Sequence, residues 1–162
     1  MRTILIFACI FTLLTASAQE LKTNFSNDWD QWRVDGETWK TVFSEDWDQW
    51  DASGTRVQTT FSNDWDQWKV GSSTTLKTTF SDDFDGWEVK NGNQTVYVKT
   101  TFSNDFDNWT ISGAASGTMR TTFSDDYNRW QTDIDFKQLP PEVKTAVLFV
   151  AVFTSVRQKV KL

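Results

Sequence analysis

The residues of this chain best placed to do chemistry are carboxylates two positions apart with an aromatic ring between them. They read Asp28-Trp29-Asp30, Asp46-Trp47-Asp48, Asp64-Trp65-Asp66, Asp83-Phe84-Asp85 and Asp105-Phe106-Asp107, with Asp126-Tyr127-Asn128 as a sixth. Three chemistries use such a set. Oxygen ligands at two-residue spacing form part of a calcium loop. A pair of carboxylates serves glycoside hydrolysis. An exposed ring beside an acceptor suits sugar stacking.

Each is weighed by what the chemistry further requires. Ser81-Asp82-Asp83-Phe84-Asp85-Gly86 comes nearest to a calcium loop, but Gly92 stands where the twelfth-position Glu belongs. The other five sets lack the glycine. No cofactor is therefore assigned, and calcium is kept as the one candidate. A glycosidase needs two carboxylates in unlike environments, whereas a sixfold recurrence supplies six similar ones. Ligand binding is the reading that remains. Its candidate residues are the middle aromatics Trp29, Trp47, Trp65, Phe84, Phe106 and Tyr127, and the second acids Asp30, Asp48, Asp66, Asp85 and Asp107. The competing reading makes the acids turn-bonding acceptors and the rings part of the core.

These sets sit inside a longer repeat. Each belongs to a stride that runs from a Phe to a Trp seven residues on, starting at Phe25, Phe43, Phe61, Phe80, Phe102 and Phe123. Internal repetition on this period governs the fold. The Phe-to-Phe intervals are 18, 18, 19, 22 and 21 residues, so all variation falls between the Trp and the next Phe. Before each Phe comes an alternating block: an apolar residue, a long polar one, Thr, and a fourth residue that is mostly Thr. Leu76-Lys77-Thr78-Thr79 is typical, and its third place is Thr in every copy. After each Trp a second alternation follows, as in Trp68-Lys69-Val70. Both read as half-buried strands. Asp35-Gly36, Ser53-Gly54, Gly71-Ser72, Asn91-Gly92 and Ser112-Gly113 then read as hairpin tips.

The stride has another spacing. Phe61, Trp65 and Trp68 lie four and three apart, which predicts a single helical turn capped by Ser62, with Phe and Trp both facing the core. The inward Thr hydroxyls are expected to bond Asp or Ser of a neighbouring turn.

The fold class that follows is all-β. Six β-hairpin repeats form an antiparallel meander, curled or closed into a barrel, with an open hairpin stack as the alternative. Residues 19–136 form this domain. Residues 137–162 differ: Pro140-Pro141-Glu142 signals a helix start, and 146–153 is wholly apolar, so a buried C-terminal helix packed on the β domain is expected.

Residues 1–18 read as a signal peptide, with a basic start, an apolar segment and Ala16-Ser17-Ala18 as the cleavage box. Export to the periplasm or the outside is expected, and no transmembrane segment is expected in the mature chain. The one cysteine, Cys9, leaves with that segment, and there is no histidine. Thiolate and Ser-His nucleophiles are thereby excluded from the mature chain, as are typical zinc sites. Loss of Arg2 takes the net charge from −6 to −7, and an acidic surface argues against nucleic acid. The functional expectation is a non-catalytic exported protein with a binding or structural role at the cell envelope. A glycan or an envelope protein would be its partner. The alternatives are a small carboxylate-dependent enzyme on cell-surface polysaccharide and a self-assembling structural protein.

Overall fold

A computed structural model describes residues 19–136 and 138–162; residues 1–18, read above as a signal peptide, and Cys9 among them lie outside these. Twelve strands form one antiparallel meander: β1 (Gln19–Thr23), β2 (Gln31–Val34), β3 (Glu37–Thr41), β4 (Gln49–Ala52), β5 (Thr55–Thr59), β6 (Gln67–Val70), β7 (Thr74–Phe80), β8 (Asp83–Asn91), β9 (Gln94–Thr100), β10 (Asn108–Gly113), β11 (Gly117–Thr121) and β12 (Arg129–Thr132). Each strand pairs with its sequence neighbours, and β1 pairs with β12, aligning Leu21 with Trp130. The sheet is a closed barrel, so no strand edge is left to pair with another chain.

Local chemistry explains the meander. At the tips, Asp35-Gly36 and Ser53-Gly54 both have positive φ (51° and 84°; 53° and 90°). This gives type I′ turns between the paired residues Val34 and Glu37, and Ala52 and Thr55. Along the strands, period two sends Trp32, Trp50, Trp68, Trp87, Trp109 and Trp130 inward, all fully buried. The alternate positions point out and are polar, among them Lys22, Arg33, Lys40, Lys69, Lys77 and Lys99. A lipid-facing barrel carries an apolar band there; this wall carries polar and charged side chains, with Lys and Arg outnumbering the acids Glu20, Asp51 and Glu88.

The C-terminal segment is helical, as expected: α1 (Pro141–Val160). Val143 and every residue from 145 to 156 are buried, so all faces of the helix are covered. It contacts β5 to β9, while Trp50, Trp68 and Trp87 meet Phe149 and Phe153 at ring-centroid distances of 4.9–5.9 Å. From the opposite wall, Trp130 Nε1 donates to Ser155 Oγ (2.9 Å), which itself donates to Ala151 O (2.8 Å). The helix therefore fills the barrel lumen. A ring of indoles this size closes on an apolar rod, and the rod must be apolar all round because the wall surrounds it. No described helix is long and apolar enough to cross a membrane.

The helix is tied at its entry. Glu142 accepts hydrogen bonds from the backbone N–H groups of Ser72 and Ser73 and from the Ser73 and Thr74 hydroxyls, at 2.7–3.2 Å. Lys144 Nζ bonds Asp35 Oδ2 at 2.7 Å. The helix thus enters at the hairpin tips, and its C-terminus emerges among the strides.

Candidate functional site

The six strides together form the rim opposite the tips. Each is built from two linked turns, and the expected helical turn is absent. In the first turn the Asp N–H donates to the Phe carbonyl three residues back, as in Asp64 N to Phe61 O (3.1 Å). The third residue has positive φ in every stride: Asn27, Glu45, Asn63, Asp82, Asn104 and Asp125, at 56–60°. This is the type II arrangement, which needs a residue tolerant of the left-handed region at that place. Asn and Asp are such residues, and Glu45 is the exception. In the second turn the first acid accepts the N–H two residues on, as in Asp66 N to Asp64 Oδ1 (3.2 Å). Local turn bonding therefore outcompetes the helix.

The second acids fasten each repeat to the next. Asp30 takes the Ser44 hydroxyl and Glu45 N–H (3.0 and 3.2 Å); Asp48 takes Ser62 and Asn63 (2.9 and 3.1 Å). Asp66 takes Ser81 and Asp82, Asp85 takes Ser103 and Asn104, and Asp107 takes Ser124 and Asp125, at 2.8–3.1 Å. Around the closure, Asn128 Oδ1 accepts from Asn27 N–H (2.9 Å) and Thr23 Oγ1 (3.1 Å). Thr59 Oγ1 likewise donates to Asp48 Oδ1 (3.0 Å). Ser44, Ser62 and their equivalents bond the preceding repeat's acid; they do not cap a helix. Of the carboxylates at this rim, Asp28 has its pKa raised, first by burial and then by the neighbouring Asp30 charge.

The middle aromatics lie just inside the rim. Trp29, Trp47, Trp65, Phe84 and Phe106 are half-buried, and Tyr127 is buried. Each leans on the closing Trp of its own stride at 5.8–6.3 Å. In four strides the Trp indole N–H then donates to the middle residue's carbonyl, as in Trp68 Nε1 to Trp65 O (2.8 Å), while Trp130 bonds Ser155 and the buried Trp87 Nε1 has no partner. Burial holds the Tyr127 hydroxyl far above its ordinary pKa, with the Asp107 charge adding to the effect. Cations of the helix end meet these rings. The Arg157 guanidinium lies 4.0 Å from the Phe84 ring centre, and Lys159 Nζ is 5.1 Å from that of Tyr127 and 3.0 Å from Asp125 O.

The opening Phe of each stride is placed against expectation. Phe25, Phe43, Phe61, Phe80, Phe102 and Phe123 are 66–70 % exposed, not buried in the core. The type II turn begins at this residue, so the inward-outward alternation ends before it and the ring swings onto the rim. A signal for this lay in Phe-Ser-Asn-Asp, which reads equally well as a β-turn with Asn at its third place. The six rings stand roughly 10–12 Å apart around the rim, two tilted strand spacings each. They stand among acids: the six strides hold fourteen of the 22 acidic residues and one basic residue, Arg129.

Among the described residues no three carboxylates converge as a metal site. At the tip end a cavity of about 320 Å³ is lined by Asp35, Glu37, Trp39, Lys144 and Thr145, among others; its Asp35 is held in the ion pair with Lys144. No family model, curated protein or solved structure matches the chain.

Proposed function

We propose that this chain is an exported, non-catalytic binding protein of the cell envelope, and that its working surface is the stride rim. One observation carries the reading: six Phe rings, one per repeat, stand mostly in water at equivalent positions on one end of the barrel. Nothing in the barrel needs them there, since its core is filled by the Trp ring and the helix. Large apolar side chains grouped on one surface mark an interaction site. The middle aromatics and second acids expected to bind ligand support that surface from behind: the rings pack on Trp, and the acids hold the turns in place. A glycan stacking on this protein would meet the Phe ring first.

The test is substitution of alternate rim rings. Phe25→Ser, Phe61→Ser and Phe102→Ser together should leave the melting temperature within a few degrees while abolishing co-sedimentation with isolated envelope material. Unchanged co-sedimentation refutes the reading. An enzyme acting on cell-surface polysaccharide would instead use Asp35 and Glu37 of the tip cavity, and Asp35→Asn would then abolish turnover in a reducing-sugar assay.

A further inference from the structure

We propose that the partner of the stride rim is a cationic protein segment with apolar side chains, rather than a glycan or a lipid surface. This rests on the rim being the working surface, and it names the chemistry that fits it. Three features select the occupant.

The first is charge. The strides hold fourteen acids and one base, and the helix end brings Arg157 and Lys159 to the same rim; acids still outnumber bases there by far, so the rim repels anionic headgroups and attracts Lys and Arg. It also repels the same rim of a second copy, so two molecules do not meet face to face. The second is the acceptor supply. A sugar site needs polar groups free to bond hydroxyls, but the second acids already accept from Ser hydroxyls and backbone N–H groups of the next repeat. Their charge still reaches outward, while their hydrogen-bonding capacity is largely taken. The third is the ring type. Phe has no polar tip to offer a sugar, but its face attracts ammonium and guanidinium groups and its bulk fills an apolar pocket. The chain itself illustrates the pairing at this rim: Arg157 stacks on Phe84 and Lys159 sits by Tyr127 and the Asp125 carbonyl. A partner's Lys and Arg would extend that pattern outward, and its apolar side chains would meet the rings. Buried aromatic anchors inside a charged rim are the usual arrangement of a protein interface.

The experiment measures binding of four probes to the full mature chain: an amphipathic Leu/Lys peptide, polylysine, a neutral cello-oligosaccharide, and zwitterionic or anionic phospholipid vesicles. Each is repeated with Phe25, Phe61 and Phe102 changed to Ser, and with the second set Phe43, Phe80 and Phe123 changed to Ser. Melting curves verify the fold of both variants. The expected result is that the Leu/Lys peptide binds best. It should weaken roughly tenfold on loss of either Phe set and again in about 0.5 M salt. Equal binding of polylysine, or peptide binding indifferent to the Phe sets, overturns the proposal by reducing it to bulk charge. Vesicle or oligosaccharide binding lost with the Phe sets overturns the partner class but keeps the rim as working surface. So does Phe-dependent self-association in sedimentation. If no probe responds to either Phe set, the rim reading falls as well.

Discussion

Replacing Glu142 with Gln should loosen the helix from the barrel by a predictable amount and with a defined pH signature. The carboxylate is seated in the β6–β7 tip by two backbone N–H groups and the Ser and Thr hydroxyls there. These bonds, the Ser72 N–H foremost, lower its pKa from 4.5 to about 2. That drop converts to a ceiling of about 3 kcal/mol. The group is partly exposed to solvent, which screens it, so about 1–2 kcal/mol is expected. In a domain of this size that is a loss of roughly 3–8 °C in melting temperature. The sign follows from the depressed value. The stabilisation is present above pH 4.5 and fades as pH falls from there through 2, below which both states are protonated. Melting curves of the native protein and the Glu142→Gln variant should therefore differ at pH 7, and the gap should have closed most of the way by pH 2. A second variant checks the geometry. Gly71 has φ +59°, and a Cβ there would collide with the Glu142 carboxylate. Gly71→Ala should thus expel the carboxylate, and its cost should fall by about 1 kcal/mol when Glu142 is already Gln. A gap between native and Glu142→Gln that stays constant from pH 7 to pH 2 would refute the reasoning, because the charge would then not be what holds the tip.

Two further outcomes test other parts of the structure. Glu45 is the only left-handed stride residue that is neither Asn nor Asp, so Glu45→Asn should raise stability by about 0.5–1 kcal/mol in urea unfolding. Phe153 meets Trp65, Trp68, Phe84, Trp87 and Phe149, and Phe153→Ala should lower the unfolding free energy by about 3–5 kcal/mol, with loss of near-ultraviolet tryptophan dichroism.

Most of the wall was legible because strand patterning is local. Inward Trp and Val alternate with outward Lys and Arg over three or four residues, and a Gly-bearing tip tells where to turn. The helix was legible from its uniform apolarity. The strides were not, because two local codes overlap in eight residues. Ring spacing of four and three suggests a helical turn, but Ser, Asn and Asp offer side-chain acceptors that satisfy turn N–H groups without one. The second code prevails since each first acid bonds the amide two residues on and each second acid bonds the next repeat. The candidate rings recur in every stride and the candidate acids in all but the last, as the sequence alone makes plain, while the Phe that opens each stride stands on the opposite side of the wall from the one its spacing suggests.

By itself the sequence determined the repeat, the twelve strands, the apolar rod that follows them, and the concentration of acid in the strides. All of these are written in neighbouring residues. Tertiary structure alone decided two things. One is closure: Leu21 meets Trp130 and Asn27 meets Asn128 across the whole chain, because a sheet of this curvature can bury six indoles only by wrapping the helix. The other is which rings face water. Once six Trp and the helix fill the lumen, no volume remains there for six more Phe, and the rim is where they stand.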